Sequence, residues 1–223
     1  MAFHLQILSI LCFSFWMVSY VLILRQARVD RRVGMPLVPL CVNVSYEFIF
    51  GFVYPDVPPI CYGNQLWFVV DLLLVAQYLR YGREEFTDLL PRRWFVPSFV
   101  LTLVLGYVGV MAVTAEFNDY VGGNYTGWGE QLLLSASFIF MLTRRRSSAG
   151  QSMYIALSRV IGTICLIPVQ HALMPNSPLM KYLFASFLIL DAIYIVLLYR
   201  QCRVEGRAPW AWTAAARPPL SVL

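Results

Sequence analysis

Charge is scarce in this chain. Charged residues make up 13% of its 223 positions, where a soluble domain carries about 25%. With 59% hydrophobic and 15% aromatic residues, nearly every position is needed for spanning helices, and no separate soluble domain fits. Histidine is almost missing: His4 and His171 stand far apart, which argues against a metal site. The five cysteines, Cys12, Cys41, Cys61, Cys165 and Cys202, are odd in number and scattered, with no CxxC. Neither a disulfide framework nor a zinc centre follows from them, and they read as small apolar packing residues. There is no P-loop, no GxSxG elbow and no HExxH; Gly150-Gln-Ser152 lacks the elbow context. No internal repeat or heptad is present. The net charge of +5 does not point to nucleic acid, because the basic residues fall between apolar runs, which is a topology signal.

Seven apolar runs approach the 17 to 25 residues that a spanning helix needs. They are Phe3–Leu24, Gly34–Tyr54, Gln65–Tyr81, Phe95–Ala115, Trp128–Thr143, Met153–Met174 and Tyr182–Tyr199. Arginines follow the first, third, fifth and seventh runs and place 15 of the 17 basic residues on one side; Lys181 lies on the other and Arg159 within the sixth run. The arginine-rich side is then cytosolic. The expected fold is an all-α integral membrane protein, seven transmembrane helices in one compact bundle, with a lumenal amino terminus and a cytosolic carboxyl terminus. Residues 1–203 form the helical domain and residues 204–223 a cytosolic tail, which after Arg207, with Trp210, Trp212 and Pro218-Pro219, reads as loosely ordered or interfacial. The start lacks a basic n-region and a small-residue cleavage site and reads as a retained first helix. Asn124-Tyr-Thr126 is a sequon in a lumenal loop.

Acids inside such runs are costly, by ~2.5–3.5 kcal/mol on insertion scales, and mark functional positions. Glu47 lies seven residues from Tyr54, Asp71 six from Gln65 and Asp191 nine from Tyr182. At ~1.5 Å per residue all three fall about 9–14 Å below the lumenal boundary. The expectation is that Glu47 and Asp191 face each other across the bundle, with Asp71 as a neighbour. Glu116 and Asp119 read as solvated caps, and Glu130 is ambiguous. Helical spacing gives the acids companions. Asn43 shares a face with Glu47, Trp67 with Asp71, and Phe187 and Tyr194 with Asp191. A carboxyl walled by aromatics in low dielectric favours its neutral form, which makes it a usable acid at neutral pH. Aromatic faces also stabilise cations. These are the requirements of cationic polyene chemistry: protonate, guide the carbocation, exclude water.

The stretches Asn43-Val-Ser-Tyr46-Glu47-Phe48 and Leu190-Asp191-Ala192-Ile-Tyr194 carry a resemblance to a known family. Trp67-xxx-Asp71, Arg146-Ser-Ser-Ala-Gly150-Gln151-Ser152 and Arg159-Val-Ile-Gly162-Thr163 fit it as well. Over residues 1–203 the chain resembles the small seven-helix membrane-bound terpene cyclases of fungal meroterpenoid and indole-diterpene pathways, the pyripyropene and paxilline cyclase type. The resemblance implies that Glu47 and Asp191 are the catalytic acids, protonating the terminal epoxide of a prenyl chain, or an olefin in some members. Asn43, Tyr46, Trp67, Asp71, Phe187 and Tyr194 are the candidate substrate-binding residues. The DDxxD and DxDD motifs of soluble terpene cyclases are absent.

The function expected is acid-initiated cyclisation, of isomerase or lyase type, on an epoxidised farnesyl or geranylgeranyl chain attached to a polyketide or indole core. No metal or organic cofactor is implied, since no allylic diphosphate is ionised. A prenyltransferase and a flavin epoxidase are expected to act upstream, and the endoplasmic reticulum is the expected membrane. The competing reading is a seven-helix proton-coupled transporter or a receptor-like protein that uses the same buried acids. Transporters often show two similar halves, and none are seen here. A receptor would usually have longer loops and a lumenal cysteine pair.

Overall fold

A computed structural model of the chain describes residues 3–56, 58–86 and 90–212. Among the described residues are seven α-helices: α1 Phe3–Asp30, α2 Leu37–Phe48, α3 Ile60–Tyr81, α4 Phe95–Glu116, α5 Asn124–Arg145, α6 Met153–Leu173 and α7 Pro178–Val204. Among the described residues there is no β-strand. The helix count matches the seven apolar runs, but most helices overrun them. An apolar run marks only the part that needs hydrocarbon around it. The backbone continues beyond in helical form, since its polar groups need partners at that depth. Thus α1 extends six residues past Leu24 and carries Arg25 and Arg28 on its last turns, while α3 begins five residues before Gln65. Ser152 and Ser177 start α6 and α7 as caps, each accepting a backbone N–H, from Ile155 and Met180.

Five of the helices are long and apolar enough to cross a membrane, counting short extensions on α3 and α4: α1, α3, α4, α6 and α7. The apolar segment Leu37–Val53, α2 with the turn that follows it, is shorter. The remaining helix, α5, buries Glu130, Gln131 and Ser135 along its length.

The chain divides into two compact units, one from Met35 to Leu134 and one formed by the residues before and after it. In the central unit α2 packs on α3 and α4. Directly after Phe48 the helix loosens into a π-helical turn, Ile49–Val53, closed by the Tyr54 N–H donating to the Ile49 carbonyl at 2.8 Å. Such a turn displaces backbone carbonyls from their usual partners. Here Asn64 and Gln65 at the start of α3 supply replacements, donating side-chain N–H groups to the carbonyls of Phe50 (3.3 Å) and Gly51 (3.0 Å). Ile49, Phe50 and Val110 form the core beneath.

In the terminal unit α1 packs along α6, and α6 against α7. The helices α1 and α6 meet closely at Gly162, where a Cβ would come within 2.7 Å of Trp16. The α5–α6 connection is held by the end of α1. Arg145 donates to the carbonyls of Val33 and Ala149, and the Gly150 N–H donates to Asp30 at 2.7 Å. Gly150 has φ +75° and lies so near the Val33 carbonyl that a Cβ would sit 2.5 Å from it, so only glycine serves there. From the other side Glu205 accepts from the Ser148 N–H and hydroxyl, and Arg207 donates to the same hydroxyl.

Past α7 the chain turns back. Arg25 donates to the Trp212 carbonyl and lies 4.6 Å from the centre of its ring, and Tyr154 donates to the Trp210 carbonyl. The two tryptophans, read as interfacial, pack their rings against Tyr154. The rest of the expected tail, residues 213–223, lies outside the described residues.

Candidate active site

The central unit assembles acids. Glu47 on α2 is buried, as are Asp71 on α3 and Glu130 near the start of α5. Glu47 lies within electrostatic reach of both others, and Glu130 of Asp71. The Asn43 amide donates to Asp71 Oδ2 at 2.5 Å. The amide, expected to serve Glu47 on its own helix, ties α2 to α3. One oxygen of each acid, Glu47 Oε2, Asp71 Oδ1 and Glu130 Oε1, is buried and accepts no hydrogen bond among the described residues. Trp67 lies half-buried one turn before Asp71, at the i−4 position expected. Tyr46 is half-buried too: its ring packs on Phe50 at 4.7 Å, and its hydroxyl donates toward the carbonyls of Gly122 and Gly123.

Glu130 is the residue that the sequence left undecided. Its signal was present but weak: an acid one and a half turns into a helix whose apolar run is short.

Asp119 is a cap, as expected, but not a solvated one. It is buried and accepts from the backbone N–H groups of Asn124 and Thr126 and from the Thr126 hydroxyl. These bonds fix the start of α5 and so the height of Glu130. The sequon falls in this first turn, where the Asn124 amide donates to the Val121 carbonyl. In the nearby loop, burial lifts the Asp56 carboxyl above its usual range; the Gly122 N–H that it accepts opposes the lift and Asp119 adds to it.

The terminal unit assembles an ion pair. Asp191 on α7 is buried and accepts from Arg159 Nη2 on α6, at 3.2 Å to Oδ1 and 3.4 Å to Oδ2. The same nitrogen reaches the Ser135 hydroxyl at 3.4 Å. Arg159, fully buried, sits 4.2 Å from the centre of the Phe138 ring, 5.8 Å from that of Tyr194 and 6.0 Å from that of Trp16. Arg159, inside the sixth apolar run, is thus paired with an acid. Tyr194, one turn beyond Asp191, packs on Phe138 and donates its hydroxyl to Gln151 Oε1 at 2.9 Å. Phe187, one turn before, is fully buried. Of the rings expected to face a substrate cation, Tyr194 thus faces a guanidinium.

Among the described residues no three histidine, cysteine or acidic side chains are grouped so as to hold a metal ion. What the arrangement offers chemically is carboxyl groups of two kinds: a set of acids with no cation beside them among the described residues, and a carboxyl with a guanidinium built in.

Comparison with known proteins places these features in a family. Residues 2–203 match the family model of Pyr4-like transmembrane terpene cyclases. The terpene cyclase olcD of Penicillium canescens is 33% identical over 213 residues, covering 91% of this chain and 87% of its own length. The asnovolin H synthase nvfL of Aspergillus novofumigatus is 27% identical, covering 89% of this chain and 86% of its own length. The terpene cyclase atmB of Aspergillus flavus is 26% identical, covering 86% and 84%. No solved structure matches the chain.

Proposed function

The chain belongs to the Pyr4-like transmembrane terpene cyclases, and from that membership we propose that it closes the prenyl chain of a polyketide or indole by acid-initiated carbocation chemistry. The substrate is a farnesyl or geranylgeranyl chain bearing a terminal epoxide, supplied by an upstream prenyltransferase and a flavin epoxidase. The enzyme sits in the endoplasmic reticulum membrane, with the amino terminus lumenal and the arginine-rich loops and carboxyl terminus cytosolic.

Glu47 is the proton donor. Its carboxyl gives a proton to the epoxide oxygen, and the bond from that oxygen to the more substituted carbon breaks. The neighbouring double bond then supplies its electron pair to the cation, and each closure passes the positive charge to the next double bond. The cascade ends when the last cation loses a proton to a base or is captured by an oxygen of the substrate. Loss of a proton leaves an isomer of the substrate. Because no diphosphate leaves, the reaction asks for no divalent cation. Asp191 is the assisting carboxylate, and Asn43, Tyr46, Trp67, Asp71, Phe187 and Tyr194 shape the surroundings in which substrate and acids are held.

One observation carries the assignment of donor. Glu47 has a buried oxygen that accepts no hydrogen bond among the described residues and has other acids in its field, whereas Asp191 has a guanidinium beside it. The Glu47 carboxyl has an oxygen left to present to a substrate, whereas the Asp191 carboxyl is engaged by Arg159.

The test is a microsomal assay with an epoxyfarnesylated aromatic acceptor, read by mass spectrometry and NMR. A cyclised product of unchanged mass from the wild type, lost in Glu47→Gln, supports the proposal. Cyclisation of the unepoxidised chain in its place would move the proton to an olefin. Failure of both chains with folded protein would sink the cyclase reading and favour proton relay in transport.

A further inference from the structure

Asp191 and Arg159 lie 32 residues apart on neighbouring helices, and nothing about the reaction proposed above calls for an arginine. A buried guanidinium is expensive, and a buried ion pair is often no more stable than the apolar residues that could replace it. Arg159 is also held more firmly than pairing alone would require. Nη2 bonds Ser135 and both oxygens of Asp191, the cation lies over Phe138, and Trp16 and Tyr194 flank it. Those neighbours are themselves anchored. The Trp16 indole donates to the Thr163 hydroxyl at 3.2 Å, which donates to the Arg159 carbonyl, and Tyr194 is tied to Gln151. Gln151 in turn stands next to Gly150, whose backbone N–H is clasped by Asp30. The guanidinium is thus met from α1, α5, α6 and α7, with Nη2 making its hydrogen bonds.

We propose that Arg159 is a positioning residue, fixing Asp191 as an oriented carboxylate, so that Asp191 enters the reaction as an anion and never as the acid that starts it. This rests on the cyclase reading and sharpens it, since it leaves Glu47 as the starting acid. It also gives the aromatic rings around Arg159 a task other than meeting the substrate: they hold the protein's own cation. Arg159 acts only through Asp191, by charge and direction, and transfers no proton itself.

The test has two arms. The first does not depend on substrate. Full-length protein labelled with carboxyl-¹³C aspartate is reconstituted in lipid nanodiscs, and infrared spectra are compared between wild type and Asp191→Asn, and between Arg159→Gln and the double variant Arg159→Gln/Asp191→Asn. The first difference is expected to show carboxylate bands alone. The second is expected to show the carbonyl stretch of a protonated carboxyl. A protonated Asp191 in the wild type, or an Asp191 that stays a carboxylate in Arg159→Gln, would overturn the proposal.

The second arm is the epoxyfarnesyl assay. Arg159→Gln is expected to lose on the order of 100-fold in turnover, the scale of a misplaced group, with little change in KM. Arg159→Lys should recover part of the loss, because it keeps the charge but not the planar stack on Phe138. The neutral pair Arg159→Gln/Asp191→Asn leaves no buried charge unpaired, so it should fold and be no less active than Asp191→Asn alone. Wild-type turnover in Arg159→Gln or in the neutral pair would reduce the ion pair to a packing feature. If the wild type itself cyclises neither substrate, the cyclase reading fails, while the infrared result still decides the state of Asp191.

Discussion

Asp191 has a guanidinium 3.2 Å away and aromatic rings behind it, whereas Glu47 has two more carboxyls in its field and a buried oxygen that accepts no hydrogen bond among the described residues. Seen in the sequence the two look alike: single acids, deep in apolar runs, flanked by aromatics. The difference between them comes from the facing helix. One partner is Arg159 on α6 and the others are Asp71 on α3 and Glu130 on α5. Depth in a membrane fixes what an acid costs, but the residue opposite decides what its carboxyl meets.

Substitutions can break this comparison, and the largest effect belongs to Glu47. Glu47→Gln keeps size and loses the proton, so cyclisation should fall by the roughly 10²–10⁴-fold attributed to a general acid. Size-exclusion behaviour and melting temperature should stay at wild-type values. Equal activity in Glu47→Gln would make Glu47 a packing residue and leave the contrast without a functional meaning.

Asp191→Asn should also stop cyclisation, but with a second signature that Glu47→Gln lacks. It strands the Arg159 charge, which costs about 3–5 kcal/mol when one member of a buried pair is removed. The melting temperature should therefore drop with the activity, and the neutral pair should regain stability without regaining turnover. An Asp191→Asn protein as stable as the wild type would mean that the ion pair is not what holds α6 and α7.

Asp71→Asn and Glu130→Gln test whether the acids of the central unit act together. Each keeps its shape, so the expected loss is near that of one hydrogen bond, about 1 kcal/mol or roughly fivefold in rate. Measured with Glu47 intact, the double variant should depart from the product of the single effects. Complete inactivity of either folded single variant would promote that acid to direct contact with substrate.

The smallest effect is expected at Asp56, in the same unit but outside the helices. Burial raises its carboxyl above the unfolded value, so the folded state binds the proton more tightly and ionisation costs stability above that raised value. Asp56→Asn should accordingly raise the melting temperature slightly at neutral pH, with the gain vanishing as the pH falls below the unfolded carboxylate range. A gain that is constant with pH would assign it to something other than charge.

Much of the fold was legible in the sequence because bilayer thickness and arginine placement constrain it so tightly. Seven apolar runs become seven helices, and the overruns come from backbone bonding that hydropathy does not see. Burial of Glu47, Asp71 and Asp191 was legible too, since nothing else explains an acid in the middle of such runs. The partner of Asp191 was not, because nothing in the spacing of Arg159 and Asp191 says that α6 and α7 present these two positions to each other. The burial of Glu130 was hidden by the polar character of α5. The fold-back of residues 205–212 was obscured because tryptophan and proline in a tail read equally well as interface or as loose chain. In the structure Arg25 and Tyr154 decide the matter.

One further consequence follows from the π-helical turn after Glu47. Each residue of an α-helix advances the chain by about 100°, so a single residue held in a wider turn shifts the phase of all that comes after it. Ile49–Val53 is in this sense a gear between two stretches of one apolar segment: the part carrying Asn43 and Glu47 keeps its own facing, and the part leading to Tyr54 is turned relative to it. The gear works only while Asn64 and Gln65 catch the carbonyls of Phe50 and Gly51. Deleting one residue from the turn would return those carbonyls to the helix and leave two amides on α3 with nothing to hold. The wide turn and the amide pair thus work as one device.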